Sequence, residues 1–417
     1  MDNPGQRPID PGMAKNDDIL IVGGGLNGPV LALALARVGF GVTILDAAER
    51  ETHLDGGFDG RAYALALASC RLLSAIGIWE QIAERAQPML EIKVSDGRAG
   101  EGPSPWILHF DHTEIEEGPM GHMIEDRYLR RALQDAIDAH PGITHRTGVR
   151  VTAQETGPSN ATLTLSSGEI VSGSMIVGAD GRQSGTADRA GIGRTGWGYG
   201  QTAVVCAVSH EQDHGGIAHQ FFMPAGPLAI LPLTGRRSSI VWSETDARAA
   251  ELMTMADAAF LDALRPAFGS FLGQIALAGE RFSYPLGLTL ADSFIGPRLA
   301  LVGDAAHGVH PIAGQGLNAG LRDVAALTEV LEEARRRGED PGSAGPLGRY
   351  QQWRRFDTAT LAIATDTFNR LFSNDNPALR LVRDIGMGAV NAVPGLRTTF
   401  MREAAGLTGD LPQLMKG

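Results

Sequence analysis

Residues 299–327 read LALVGDAAHGVHPIAGQGLNAGLRDVAAL. The pattern predicts a buried strand (Leu299 to Val302), a tight polar turn at Gly303 and Asp304, a Gly/Pro loop from Gly308 to Gly316, and a long helix beginning near Leu317. A strand that ends in an acidic residue and leads into glycines at a helix start suits a cofactor bearing a phosphate or a ribityl chain. The Asp304 carboxylate can accept hydroxyl hydrogen bonds. Gly314 and Gly316 carry no Cβ, so their backbone can approach a flat ring closely. The helix start at Gly316, Leu317 and Asn318 offers unpaired N–H groups and a partial positive charge.

A partner for this segment lies near the N-terminus. The apolar run Asp18 to Val22 leads into Gly23-Gly24-Gly25-Leu26-Asn27-Gly28, a G-x-G-x-x-G. An Ala/Leu-rich helix follows to about Val38, then a second strand from Gly41 to Leu45 that ends on Asp46. Gly23, Gly25 and Gly28 permit a tight turn, close approach to a pyrophosphate and close helix–strand packing. Asp46 falls roughly 20 residues beyond the glycines, where it meets a ribose hydroxyl in dinucleotide sites.

Between the two lies a third element. The strand Met175 to Ala179 ends in Asp180-Gly181-Arg182-Gln183-Ser184. These three elements, in this order and at these separations, resemble the flavoprotein monooxygenases of the p-hydroxybenzoate hydroxylase class. The resemblance narrows to the ubiquinone-biosynthesis hydroxylases through Asp59-Gly60-Arg61-Ala62-Tyr63-Ala64-Leu65 and Trp197-Gly198-Tyr199-Gly200-Gln201-Thr202-Ala203. It extends through Gln220-Phe221-Phe222, through Gly226 to Leu233, and through Tyr284-Pro285-Leu286. One position departs: the Arg that usually follows the Asp-Gly motif's Ser by three residues is Ala187 here, and Arg189 is out of register.

The resemblance implies an α/β fold, with a Rossmann-like FAD-binding domain, an interleaved sheet-based substrate domain and a C-terminal helical region. The first motif would bind the ADP half of FAD, Asp180 would lie near the pyrophosphate, and Gly303-Asp304 would hold the ribityl chain. Arg61 would contact the flavin or its phosphates, and Arg130 is a further cofactor candidate. Pro311, Gly314 and Gly316 would form the loop at the flavin. The implied reaction transfers one oxygen atom of O2 to a polyprenylated phenol in ubiquinone biosynthesis, through a C4a-hydroperoxide of the reduced flavin. NAD(P)H or another electron donor would serve as reductant. A non-catalytic, FAD-stabilised subunit of a quinone-synthesis complex, or another flavin oxidoreductase on the same fold, are the alternatives.

Composition agrees. The 417-residue chain is 43% apolar and has room for more than one domain. Its net charge of −12 argues against nucleic acid as a partner. Cys70 and Cys206 form no metal-ligand or disulfide pattern, and no ligand cluster of metal spacing occurs elsewhere. Residues 1–17 read as a flexible tail. The expected FAD-binding segments are 18–82, 122–190 and 294–337; the substrate domain is 83–121 and 191–293; the helical region is 345–417, with breaks at Pro377 and Pro394. The expected location is cytoplasmic. A polyprenyl phenol resides in the bilayer, so the apolar residues Phe368, Leu371, Phe372, Leu379, Leu381, Val382, Ile385, Val390, Val393, Leu396, Phe400 and Met401, interspersed with arginines, suggest weak peripheral contact at the membrane's inner face. Packing against the FAD domain is the plainer use of such a stripe.

Overall fold

The structure is a computed structural model and describes residues 19–50, 57–98, 102–309, 314–372 and 393–416. Pro311, Pro377, Leu379, Leu381, Val382, Ile385 and Val390 lie outside the described residues.

The short apolar runs pair into a six-stranded sheet in the order Ile295–Gly296, Leu299–Leu301, Met175–Gly178, Ile19–Val22, Val42–Leu45, Ile143–Arg146. Every pairing is parallel except the first. The three strands from Met175, Ile19 and Val42 are buried along their whole length. That is why they read as near-continuous apolar runs, with Thr43 the polar exception, and do not alternate. The helix Asn27–Arg37 covers the sheet with almost every side chain buried, and the helix Gln315–Arg336 packs beside it.

A second, larger sheet carries the strands Glu91–Arg98, Gly102–Asp111, Arg194–His210, Ile217–Met223, Gly226–Leu233, Arg237–Thr245 and Phe282–Ala291. Strict alternation gives it two faces. Val204, Cys206, Leu228, Ile230, Ile240 and Trp242 pack under Phe260, Leu264 and Phe268 of the helix Asp257–Phe268. The opposite face carries Ala207 and Leu233, which pack against Met89, Met123, Ala62 and Ala64 of a small three-stranded sheet. His307–Gly308 crosses over and pairs with Thr289 and Leu290, so the stretch quoted first joins both sheets.

Two local expectations shift. The long helix starts at Gln315, two residues before Leu317, because Gly314 adopts the left-handed region (φ +66°) and closes the turn. Pro394 opens the helix Pro394–Ala404, where an expected break would have ended one. A first-turn proline has no intrahelical N–H bond to lose. The helix Ala344–Phe372 spans both sheets: Tyr350 Oη donates to Leu301 O at 2.7 Å, and Trp197 Nε1 donates to Asp366 Oδ1 at 3.1 Å.

Candidate functional site

Three of the four glycines after the first strand are accounted for by protein packing. A Cβ on Gly23 (φ +114°) would lie 2.5 Å from Ala179 O. One on Gly24 would strike the Asp46 carboxylate, and one on Gly28 the Gly23 carbonyl. Gly25 differs, because nothing lies within 4 Å of where its Cβ would stand. Gly316, in the first turn of its helix, is equally open. Two bare backbone positions thus face space that no atom of the described residues uses. Asn27, within the first motif, reaches the third with its side chain. Its side-chain amide abuts the α-carbons of Gly303 and Gly320, and its buried Oδ1 has no hydrogen-bond partner among the described residues.

Asp46 is 7% exposed at its strand end, and its Oδ1 accepts from Ala48 N at 3.1 Å. Asp304 lies on a 3-10 turn, with its side chain 40% exposed and Oδ2 3.2 Å from Arg182 Nε. Gly303 precedes it at φ +60°. Gly314 packs on Ala64, 2.8 Å from a would-be Cβ.

Some expected cofactor contacts are committed to the protein itself. The Asn318 side chain accepts from Ala66 N (2.9 Å) and Ser69 Oγ (2.7 Å), and donates to Ala64 O (2.8 Å) and Gly314 O (2.9 Å). Both amide hydrogens and both lone pairs are used, so Asn318 ties the helix start to residues 64–69 and its side chain has nothing left for a cofactor. By helix geometry, Gly316 and Leu317 present first-turn amides that make no intrahelical bond. Asp180 accepts from Ser184 Oγ, from Thr186 N (2.9 Å) and from Thr186 Oγ1 (2.8 Å), which shapes the Asp-Gly turn. Arg189 does not stand in for the arginine missing at Ala187; its Nε donates to Gln154 Oε1 at 3.1 Å, on the strand Val151–Thr156. Arg61 donates to Asp59 Oδ2 at 2.7 Å and stands 5.6 Å over the Phe282 ring. Arg130 Nε is shared by both Asp126 oxygens at 2.8 Å, and Tyr63 Oη donates to the same carboxylate at 2.7 Å.

Sequence reasoning missed the buried charges beneath the third motif. Asp323 is fully buried; its Oδ2 accepts from Gly303 N (2.9 Å) and lies 2.6 Å from His307 Nε2, and its Oδ1 accepts from Arg354 Nε (2.7 Å). Burial opposes its ionisation, yet His307 and Arg354 hold the Asp323 carboxyl below its ordinary range. An Asp and an Arg on apolar helical faces were the available signal. His307 is buried and its Nε2 faces the Asp323 carboxylate.

The residues fit a flavin dinucleotide. Two bare backbones, two acidic strand ends (Asp46, Asp304), two helix starts and an unpartnered Asn27 acceptor are gathered at the carboxyl ends of one parallel sheet, where such folds take ligands. When bound, FAD would supply the redox and oxygen chemistry that the side chains lack.

Known proteins agree. Residues 16–355 match the FAD binding domain family. The chain is 45% identical over 413 residues to ubiquinone hydroxylase UbiL of Rhodospirillum rubrum, covering 98% of this chain and 95% of that protein. It is 37% identical over 393 residues to 3-demethoxyubiquinol 3-hydroxylase of Escherichia coli, covering 94% and 98%. In fold it is similar to the crystal structure of p-nitrophenol 4-monooxygenase PnpA from Pseudomonas putida, with a TM-score of 0.78 and 19% identity over 94% of this chain and 98% of that one. The near-complete match to these relatives places the chain in the FAD-binding family of ubiquinone-biosynthesis hydroxylases.

Proposed function

We propose that this protein is an FAD-dependent monooxygenase that hydroxylates the ring of a polyprenylated phenol in ubiquinone biosynthesis. One observation supports a long, greasy substrate. On the face of the large sheet opposite its helices, strand register aligns Phe282, Val205, Val241, Ala229, Gln220, Val94 and Leu108 in a single row. Six of the seven are apolar. With strands about 4.8 Å apart, the row runs on the order of 25–30 Å. One end lies under Arg61, and the other packs near Leu371 of the long helix. A phenol head at the Arg61 end with its tail along the row suits this surface.

In this reading Asp46 accepts from the adenosine ribose and Asp304 from the ribityl chain. The amides at Gly316 and Leu317 face the electron-rich edge of the ring. Arg61 and Arg130 border the cofactor, and Asp180 acts through the turn it shapes. The FAD unit comprises 18–82, 122–190 and 294–337, and the substrate unit 83–121 and 191–293. No helix among the described residues is long and apolar enough to cross a membrane. The exposed Val393, Leu396 and Phe400 suit weak peripheral contact with a lipid surface or a quinone-synthesis complex.

The test is the mass of the quinone precursor that accumulates when the protein is absent, together with turnover of that precursor by purified protein, O2 and a reductant. A precursor lacking one ring oxygen and converted in vitro supports the reading. Ala187 favours a second reading, a non-catalytic FAD-stabilised subunit; binding of FAD without turnover under any reductant would select it.

A further inference from the structure

The buried group Asp323, His307 and Arg354 has no place in the cofactor contacts above. Its cost is plain, since two of its members are formally charged and nearly excluded from solvent: Asp323 0% and Arg354 2% exposed. A buried ion pair is weak evidence for stability, because desolvation offsets most of the attraction. What the carboxylate supplies is direction. It accepts the Gly303 amide at 2.9 Å, one residue before Asp304. Asp323 also lies about two turns along the helix that begins at Gln315, with Gly316 in its first turn. One side chain therefore fixes the Gly303–Asp304 turn relative to the helix start. Arg354 and His307 hold that side chain at 2.7 and 2.6 Å. Tyr350, one turn before Arg354, holds the preceding strand end by donating to Leu301 O at 2.7 Å. From the other side, the Asn27 amide abuts the Gly303 α-carbon.

We propose that Asp323, oriented by Arg354 and His307, is a positioning residue for the flavin: it sets the spacing between the ribityl acceptor Asp304 and the amides at Gly316. It touches no cofactor atom itself. The inference rests on the reading of this site as an FAD site.

The experiment separates positioning from stability. Asp323→Leu with Arg354→Met removes both charges of the pair and keeps apolar volume, while Asp357, which also accepts from Arg354 at 2.8 Å, keeps Arg322 at 3.7 Å. Asp323→Asn with Arg354→Met restores one oxygen that can accept the Gly303 amide. Apoprotein melting temperature and FAD affinity, by quenching of flavin fluorescence, are measured for both and for the parent. The expected result is similar melting of the two variants, with FAD affinity about tenfold weaker in the Leu variant, the scale of a lost hydrogen bond to a charged group, and largely regained in the Asn variant. Parent-like affinity in the Leu variant, or losses that track melting temperature in both, would overturn the proposal. Should the Leu variant fail to fold, His307→Phe and His307→Gln decide, since only Gln can donate to Asp323. A perturbed visible circular dichroism of bound flavin in Phe alone supports positioning, and equal spectra overturn it. A parent that takes up no FAD would instead overturn the site reading and this inference with it.

Discussion

Arg182 Nε lies 3.2 Å from Asp304 Oδ2, so the Asp-Gly motif and the Gly-Asp motif meet through one ion pair. Both side chains are over a third exposed, at 46% and 40%. An ion pair so exposed is worth about 0–1 kcal/mol and weakens with salt. Asp304→Ala removes a charged acceptor for cofactor hydroxyls and should weaken FAD binding by about 1–3 kcal/mol. Arg182→Ala should weaken it no more than about fivefold, with the difference vanishing in high salt. Titration of the two apoproteins with FAD at low and high salt checks both, and equal effects would mean Asp304 is not the hydroxyl acceptor.

The glycines divide into two classes with opposite expected phenotypes. Gly24→Val and Gly28→Val drive a side chain into the Asp46 carboxylate and the Gly23 carbonyl, so both should lower the melting temperature of the apoprotein. Among the described residues, a Cβ at Gly25 or Gly316 meets no atom within 4 Å. Gly25→Val and Gly316→Val should leave the apoprotein's melting nearly unchanged and abolish yellow, flavin-loaded protein. Stoichiometric flavin after both open-site substitutions would remove the cofactor from this location.

The apolar row predicts a split between substrates. Leu108, paired with Val94 at the far end, lies remote from Arg61. Leu108→Asn should raise KM for a long-tailed phenol by about tenfold, through lost apolar burial of roughly 1–2 kcal/mol, and leave a phenol without a tail unaffected. Equal effects on both would place the tail elsewhere.

Acid sensitivity should have a strong contributor in the large sheet. His219 lies between the Phe221 and Phe271 rings, at 5.8 and 4.5 Å. Burial, aided by Lys93, lowers its pKa from 6.5 to about 4. The unfolded chain takes up a proton near 6.5 while the folded one resists, so the unfolded state binds more protons and stability falls as pH drops through that window. The loss is at most roughly 3 kcal/mol by pH 4. His219→Phe should flatten this part of the curve, as read by urea midpoints between pH 7.5 and 4.5. An unchanged slope would mean His219 is protonated in the folded protein.

The C-terminal helix separates core from contact surface. Met401 is buried (0% exposed), whereas Leu396 and Phe400 are 48% and 39% exposed. Arg397 Nε donates to Glu114 Oε2 at 2.6 Å and Arg402 pairs with Glu117, so the helix is held against residues 114–117 by its charges. Leu396→Ser with Phe400→Ser should keep the melting temperature and reduce sedimentation with anionic liposomes. Met401→Ser should cost about 2–4 kcal/mol of stability. Retained liposome binding in the double variant would move any lipid contact off this helix.

Much of the site was legible because its demands are local. A strand ending on an acid, a G-x-G-x-x-G and a bare helix start each occupy a few consecutive residues. Backbone requirements of that kind select residue types at fixed spacing, and so Gly25, Asp46, Asp304 and Gly316 could be named from order alone. Sequence patterns likewise marked the strand from Met175 and the long helix after Gly314, with ends off by a residue or two.

Pairings between distant residues have no such signature. That Asn318 is exhausted largely by Ala64, Ala66 and Ser69, and that Arg189 turns to Gln154, depend on where the chain returns in space. The same holds for Asp323, whose partners Gly303, His307 and Arg354 are brought together only by packing of two helices on a strand end. The sequence alone therefore determined the type of cofactor cradle and the family, because close backbone approach is encoded residue by residue. Only the tertiary structure decided which polar side chains remain available to a ligand, because a hydrogen-bonding group is free or committed according to neighbours from about sixteen to more than two hundred residues away.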